Sequence, residues 1–225
     1  MREHESDALL ERTARARRDA WARFGEVDPD VLTHLINPAF MGGPAWPALR
    51  QAFQVVRRGT TTLLASDGLA DPFDDEQPPK HNGFELELFA FTTDPLEQVA
   101  GSWLWDVVWQ MSQFAASHGG IARLLDEMGT LSTELYDVGI PDAHRATFVN
   151  EHERVGVLLA PAASPLPARI EGPLSPIRLV NVKLLTLAEL DLAVTHKEQG
   201  RAELALRFSR RADAQASSLM RASVV

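Results

Sequence analysis

The sequence predicts an α/β (α+β) fold in which helices cover a mixed sheet. Apolar and polar residues alternate between residues 84 and 91, which is typical of a strand because successive side chains point to opposite faces of a sheet. Apolar residues recur at helical spacing over residues 103–117, which indicates an amphipathic helix packed on that sheet. The apolar run at residues 155–159 has strand length and indicates a central strand covered on both faces.

The composition is that of an ordinary globular protein. The chain has 225 residues, of which 45% are apolar and 24% charged, enough for one sizeable core. The formal net charge of -9 opposes binding to the phosphate backbone of nucleic acids. Because the sequence contains no cysteine, disulfides, thiolate metal sites and cysteine nucleophiles are excluded.

The N-terminal sequence gives no sign of export. It is charged, no apolar segment of signal-peptide length follows it, and no run of about twenty apolar residues occurs in the chain. We therefore expect a cytoplasmic protein that has no membrane partner.

Residues 1–41 are predicted to form a helical extension. Ser6 can cap a first helix that Gly25 stops. Five arginines make this helix locally basic, but acidic residues are interleaved with them, which favours a solvated face over a nucleic-acid contact. Asp30 can cap a second, shorter helix, and the Gly-Gly-Pro sequence at residues 42–44 then marks a boundary.

Residues 53–66 fit a hairpin, although residues 46–58 also fit a helical stripe. The pair Asp67-Gly68 supplies a tight turn that ends the second strand. Prolines break the following segment, so we expect an exposed loop. Its three adjacent carboxylates lack the alternating ligand spacing of a calcium loop, which favours a solvated loop over a cation site. They are Asp74, Asp75 and Glu76.

Glu85 and Glu87 follow this loop at the beginning of the strand over residues 84–91. Both lie on the strand face opposite to Leu86 and Leu88, and this face is expected to be solvated in its first half.

A long helix and a shorter one follow this strand. The long helix should begin at Asp94 or Pro95 and run to Ser117, with Gly119-Gly120 as its C-cap, and the shorter one covers residues 121–128. The long helix carries Trp105 and Trp109. Aromatic residues at helical spacing indicate core packing, although they can also line a ligand pocket.

The C-terminal third predicts a connector, a strand and a helix. Prolines spread over residues 161–176 mark a surface connector, and residues 177–185 return to a strand pattern. Thr186 and Glu189 have the spacing of a capping box that begins a helix. Residues 209–225 are small and polar, and we expect them to form a flexible tail.

The sequence lacks the common catalytic and metal-binding motifs. It contains no His-Glu-x-x-His pair, no Gly-x-Ser-x-Gly elbow, and no phosphate- or dinucleotide-binding glycine pattern. His144 and His152, with Glu151 and Glu153, come nearest to a ligand cluster, but their spacing matches no metal signature. We therefore expect no enzymatic activity, no metal and no cofactor.

Several motifs in one order resemble the suppressor of fused family, whose pattern is close to Ser-x-Gly-Leu-Ser-Asp, then Gly-Phe-x-x-Glu-Leu after a variable loop. Here Ser-Asp-Gly-Leu-Ala-Asp occupies residues 66–71 and Gly-Phe-Glu-Leu residues 83–86. Further similarities are Gly42-Gly43-Pro44, Trp103 in the long helix, and Val182-Lys183-Leu184-Leu185-Thr186 followed by Glu189-Leu190. The resemblance implies one suppressor-of-fused-like α/β domain over residues 42–208.

In the animal members of that family, this region is the first of two domains. The protein sequesters a Gli-type transcription factor by adding its peptide as a strand between the domains, and we expect the present chain to end where the second domain would begin. Phe73 matches a peptide-contacting tyrosine of the family but lacks the hydroxyl. The family's longer loop with a peptide-binding aspartate has no recognisable counterpart between Asp74 and Asn82. Single-domain bacterial relatives are thought to include immunity proteins of toxin systems.

We therefore predict a non-catalytic module that masks or sequesters another protein or an extended peptide segment. The contacts are expected on the loop after Asp67 and on the neighbouring strand edge. The predicted contact residues are Asp67, Asp71, Phe73, Asp74, Asp75, Glu76, Glu85 and Glu87. The alternative is a small-ligand-binding protein or an enzyme, with a pocket beneath the helix that carries Trp105 and Trp109.

Overall fold

The computed structural model describes residues 2–74 and 78–225. Within these ranges the chain forms five α-helices and an eight-stranded sheet. The helices are α1 (Arg2–Trp21), α2 (Trp103–His118), α3 (Ile121–Met128), α4 (Asp142–Phe148) and α5 (Leu187–Ser209). The strands are β1 (Glu26–Thr33), β2 (Ala52–Arg58), β3 (Thr61–Asp67), β4 (Leu86–Thr92), β5 (Leu131–Tyr136), β6 (Arg154–Pro161), β7 (Arg169–Glu171) and β8 (Pro176–Leu185).

The predicted mixed sheet is confirmed. Its strand order is β1-β2-β3-β4-β8-β6-β5, and β7 also pairs with β8. The β4–β8 pair is parallel and the other pairs are antiparallel. Among the described residues, β1 and β5 therefore lie at the two ends of this order, the short strand β7 has β8 as its single partner strand, and β4 lies inside the sheet.

Helices cover both faces of the sheet. Apolar side chains of β4 point alternately to the two faces, so both faces need to be covered. Leu88 and Ala90 point into the larger core, which contains the buried side chains of α2 and α3. Phe89 points to the opposite face, where it packs with Trp21 of α1. Leu190 and other residues of α5 cover the part of the sheet formed by β6 and β8. The period of two along the strand thus separates two apolar layers.

Several predictions that rest on local signals are confirmed. Residues 52–67 form the hairpin, with Gly59 at a φ of 58° in its turn. Gly119 ends α2 in the left-handed region, at a φ of 68°. Thr186 and Glu189 form the reciprocal bonds of a capping box at the start of α5. These signals lie within a few residues of the structure that they specify.

Two predicted helix starts are wrong. The first helix begins at Arg2, not at Ser6. The long helix begins at Trp103, because Ser102 accepts a hydrogen bond from the amide of Trp105, and residues 95–101 are not helical.

The second helix predicted in the N-terminal extension is also wrong. The segment around Asp30 is strand β1, whose Val31 and Leu32 pair with β2. Pairing with a distant strand overrides the weak local helix signal. The sheet therefore includes residues that the sequence analysis places in the N-terminal extension.

The C-terminal residues 210–225 pack against the domain, which corrects the expected flexible tail. The Ser217 amide donates to the Phe91 carbonyl at 2.8 Å, and the Ser217 hydroxyl accepts from the Leu184 amide at 2.9 Å. The Leu219 amide donates to the Asp94 carboxylate at 2.6 Å. Small, polar residues therefore serve here as hydrogen-bonding groups rather than as a solvated end.

Candidate functional site

The loop between β3 and β4 has a fixed base. Gly68 has a φ of 149°, and a Cβ at this position would lie against the Arg50 carbonyl and 3.0 Å from the Trp46 ring. The amide of Phe84 donates to the Leu69 carbonyl at 2.8 Å and so joins the two ends of the loop. The turn thus requires glycine both for its backbone conformation and for the close approach.

Asn82 fastens the far end of the loop to two other segments. Its side-chain oxygen accepts from the amides of Leu174 and Ser175 at 2.9 and 3.0 Å. Its side-chain nitrogen donates to the Thr13 hydroxyl of α1 at 2.9 Å. Asn82 is fully buried, so these bonds satisfy polar atoms that water cannot reach.

A buried charge cluster lies beneath the loop. Arg17 of α1 donates from Nε to Asp67 at 2.9 Å and from Nη1 to Asp71 at 2.6 Å, and its Nη1 lies 3.3 Å from Glu87. Arg50 also pairs with Asp67, at 2.5 Å. Burial alone would lower the pKa of Arg17, but the three carboxylates outweigh burial and raise it. Arg17 therefore stays charged and holds the loop to α1.

Glu87 accepts hydrogen bonds on both carboxylate oxygens. Oε2 accepts from the Ser66 hydroxyl, while Oε1 accepts from the amides of Gly68 and Ala70 at 3.2 and 3.1 Å. Burial raises the pKa of Glu87 to about 7, and the nearby Arg17 offsets only part of this effect. In contrast, the pKa of Asp67 is lowered, because Arg17 and Arg50 outweigh the effect of its burial.

The expectation that Glu87 faces solvent is wrong. Its side chain is fully buried, and those of Asp67 and Asp71 are also largely shielded from water. Arg17 was not predicted as part of this cluster, because all five arginines of the first helix were expected on a solvated face. A signal was present, because Arg17 lies four residues before Trp21 on the apolar stripe of the helix.

Three of the predicted contact residues are accessible. Phe73 is half-buried and contacts Phe84 edge to face, with ring centroids 5.4 Å apart. Asp74 is exposed and Glu85 is half-buried. Asp75 and Glu76 lie outside the described residues. Of the predicted contact residues that the structure describes, Phe73 and Asp74, here called the loop tip, are therefore accessible together with Glu85 at the start of β4. Pro78, Lys80 and His81 of the same loop are exposed as well.

The predicted strand edge beside this loop is not available. β4 pairs with β8 through Leu86 and Leu88, and the Leu88 amide also donates to the Ser66 hydroxyl at 2.9 Å. At the outer strand β5, Gln110 occupies both backbone polar groups of Tyr136. The outer strand β1 is irregular, because its pairing with β2 shifts in register between Val27 and Val31, on either side of Pro29.

The tryptophans of α2 pack against other aromatic residues. The ring centroids of Trp105 and Phe53 lie 4.8 Å apart, and His34 contacts both Trp105 and Trp109 at 5.5 and 5.7 Å. A cavity of about 370 Å³ borders α1 and β1 instead of α2, and its lining includes Arg17 and Trp21.

Within residues 2–74 and 78–225, no three histidine or acidic side chains are grouped so that they could hold a metal ion. His152 and Glu151 form an exposed pair at 3.6 Å. None of the helices described has the length and apolar character that crossing a membrane requires.

Comparison with known proteins gives matches in structure but not in sequence. No protein-family model and no curated protein matches the sequence. A chain of the Sufu-Fu complex crystal structure superposes with a TM-score of 0.55 at 13% identity, over 97% of this chain and 91% of that one. Drosophila Suppressor of Fused gives a TM-score of 0.49 at 14% identity, and the match covers 96% of this chain and 51% of that longer one. The chain therefore has a suppressor-of-fused-like α+β fold, as its sequence motifs predict.

Proposed function

We propose that the chain is a non-catalytic module that binds another protein and masks it, through the Phe73-Asp74 tip of the β3–β4 loop. The observation that carries the proposal is a partly exposed aromatic residue on a loop whose base is buried and fully tied down. The structure in complex with Fu shows that a protein of this fold takes part in a protein complex.

The fixed base lowers the cost of binding. A loop whose base is already ordered loses less conformational entropy there when a partner docks, so more of the contact energy appears as affinity. Aromatic residues dominate the energy of many protein interfaces, and this favours Phe73 as the anchor. In this proposal Asp67, Asp71 and Glu87 shape the loop, while Phe73, Asp74 and Glu85, together with Asp75 and Glu76, meet the partner.

The charge of the chain favours a basic partner segment. The net charge is -9, and Asp74 is exposed next to Phe73. Complementary charge accelerates encounter and selects among partners. We therefore propose that the segment is extended and rich in lysine or arginine.

The alternative of a ligand pocket beneath α2 receives less support. Trp105 and Trp109 contact Phe53 and His34, and the 370 Å³ cavity lies beside α1. Aromatic packing of this kind is typical of a core.

Within this function we propose a toxin as the partner, so that the module acts as an immunity protein. The support is the sequence resemblance to a family whose single-domain bacterial members are thought to include such proteins. Co-expression with the product of a neighbouring gene tests the narrower assignment. Rescue of growth by the wild-type chain but not by a Phe73→Ala variant is expected, and continued toxicity with both would contradict it.

Capture from the native host tests the general function. The baits are the full wild-type chain, a Phe73→Ala variant and a Tyr136→Ala variant. Tyr136→Ala is the control, because Tyr136 is 54% exposed and lies on β5, at the end of the sheet opposite to β1. We expect one protein to bind the wild type and the control but not Phe73→Ala. Equal capture by all three baits would contradict a role for the loop tip.

A further inference from the structure

We propose that a second surface, beside the loop tip, binds the apolar side chains of the same partner segment. This apolar patch consists of Leu35, Ile36, Phe40, Met41 and Leu49, and it would take a segment in which aliphatic or aromatic residues are flanked by lysine or arginine. The inference rests on the proposed function and names the chemistry of its partner.

The exposure of the patch is high for large apolar side chains. Leu35 is 102% exposed, Phe40 and Met41 are each 75% exposed, and Ile36 is 59% exposed. Such side chains are common singly on protein surfaces, but a group of this size marks an interaction site. Covering them would remove apolar surface from water, which is the main driving force of association.

The patch belongs to an ordered segment. The Asn37 side chain accepts from the Ala39 amide at 2.9 Å and donates to the Leu49 carbonyl, so it joins the two halves of the patch. Residues Pro38–Met41 form a 3₁₀ helix, which Gly42 ends in the left-handed region, at a φ of 87°. The apolar side chains are therefore presented by a defined backbone, which the partner does not need to order.

Leu49 has an unusual backbone conformation for an exposed residue. Its φ is 55°, in the left-handed region that is unfavourable for a residue with a Cβ. Its amide donates to the Trp46 carbonyl at 3.0 Å, and its side chain remains 45% exposed. Strain of this kind is frequent at binding sites.

The patch is continuous with the proposed loop surface. The amide of Asp74 donates to the Pro47 carbonyl at 3.2 Å, two residues before Leu49. Gly83 at the end of the loop also approaches Pro47, because a Cβ there would lie 2.8 Å from the proline ring. A single partner segment can therefore contact Phe73 and the patch together.

Charge identifies the kind of occupant. Asp74 flanks the patch on one side, and exposed Asp30 lies near it on the other, five residues before Leu35. Arg50 lies next to Leu49 but pairs with Asp67 at 2.5 Å. A second copy of this chain or an anionic membrane would bring like charge to these carboxylates, whereas a basic segment would bring the opposite charge.

A peptide-display selection on the full wild-type chain tests this inference. We expect the selected peptides to combine apolar residues with lysine or arginine. A Phe40→Ser/Met41→Ser variant should weaken their binding at least tenfold. Met220→Ser is the matched control, since Met220 is 76% exposed in the C-terminal segment, and it should leave binding unchanged.

The outcomes separate this inference from the proposed function. Peptides whose binding is lost in Phe73→Ala but unchanged in Phe40→Ser/Met41→Ser would overturn the patch and leave the loop function standing. Peptides insensitive to both variants, or an acidic selection, would contradict both. Dimerisation or phosphatidylserine-vesicle binding that the patch variant abolishes would also overturn the inference, because the occupant would then be a second copy or a membrane.

Discussion

Arg17 is the residue on which the loop and α1 depend. Its position on the apolar stripe of α1 follows from the sequence, but its partners Asp67, Asp71 and Glu87 lie at least 50 residues away along the chain. Helical spacing can therefore indicate that Arg17 points inward, while only the folded sheet determines which carboxylates it meets.

Arg17→Met should destabilise the protein strongly. The change removes the cation and leaves buried carboxylates without a partner, which typically costs about 3–5 kcal/mol. Urea unfolding of this variant is compared with that of Arg15→Met, whose arginine is exposed on the same helix. Equal stability of the two variants would contradict the buried cluster.

Glu87 should make stability depend on pH. Its folded pKa of about 7 lies above its ordinary value of 4.5, so folding takes up a proton between these values. The stability that this group contributes is complete below about pH 4.5 and is lost as the pH rises through about 7, by up to about 3 kcal/mol.

Glu87→Gln isolates this effect, because glutamine does not ionise. Its oxygen can still accept from the Gly68 and Ala70 amides, while its amide nitrogen can donate to the Ser66 hydroxyl. Relative to the wild type, the variant should gain stability as the pH rises from 5 to 8. Glu85→Gln, at a half-buried position, is the control. Parallel pH profiles for the wild type and Glu87→Gln would show that Glu87 does not take up a proton on folding.

At the scale of elements, the sequence predicted those helix ends and turns that depend on residues close together in the chain. The hairpin at β2 and β3, the end of α2 and the start of α5 each depend on a turn or cap within a few residues. The segment of β1 around Asp30 was predicted as a helix. It is a strand because it pairs with β2, and no local pattern in the sequence signals this pairing. β5 was not predicted as a strand for the same reason, since it is defined by its pairing with β6.

The C-terminal segment, residues 210–225, was predicted as a flexible tail but packs against the domain. Arg221 donates to Glu189 at 2.6 Å, and Glu189 is fully buried within the capping box of α5. Burial would raise the pKa of Glu189, but Arg221 outweighs burial and lowers it. The segment thus binds the N-terminal end of α5 through an ion pair between residues that are far apart in the sequence.

Arg221→Met should therefore lower the free energy of unfolding, by about 3 kcal/mol, because it leaves a buried carboxylate without its cation. Arg211→Met, which removes an exposed arginine from the same segment, should change it little. Chemical denaturation measures both. If the two substitutions proved equally mild, the packing of residues 210–225 against the domain would be in doubt.

At the scale of the whole molecule, the motif order predicted the suppressor-of-fused-like fold, because glycines and caps at fixed positions constrain the path of the chain. The binding surface could be predicted only in part. The sequence placed Phe73 on a loop, but the sheet order makes β4 an interior strand and excludes its edge. The burial of Asp67 and Asp71 likewise follows from contacts with α1 that no local pattern encodes.

The affinity of Phe73→Ala for the captured partner tests the central claim most directly. Calorimetric titration should show binding weakened by about 1–3 kcal/mol, the usual effect of losing an aromatic anchor. Thermal unfolding of the variant should stay close to that of Tyr136→Ala. An unchanged affinity in a normally folded variant would contradict the account and remove the loop tip from the site. A lowered melting temperature with unchanged affinity would show that Phe73 only packs the loop onto Phe84.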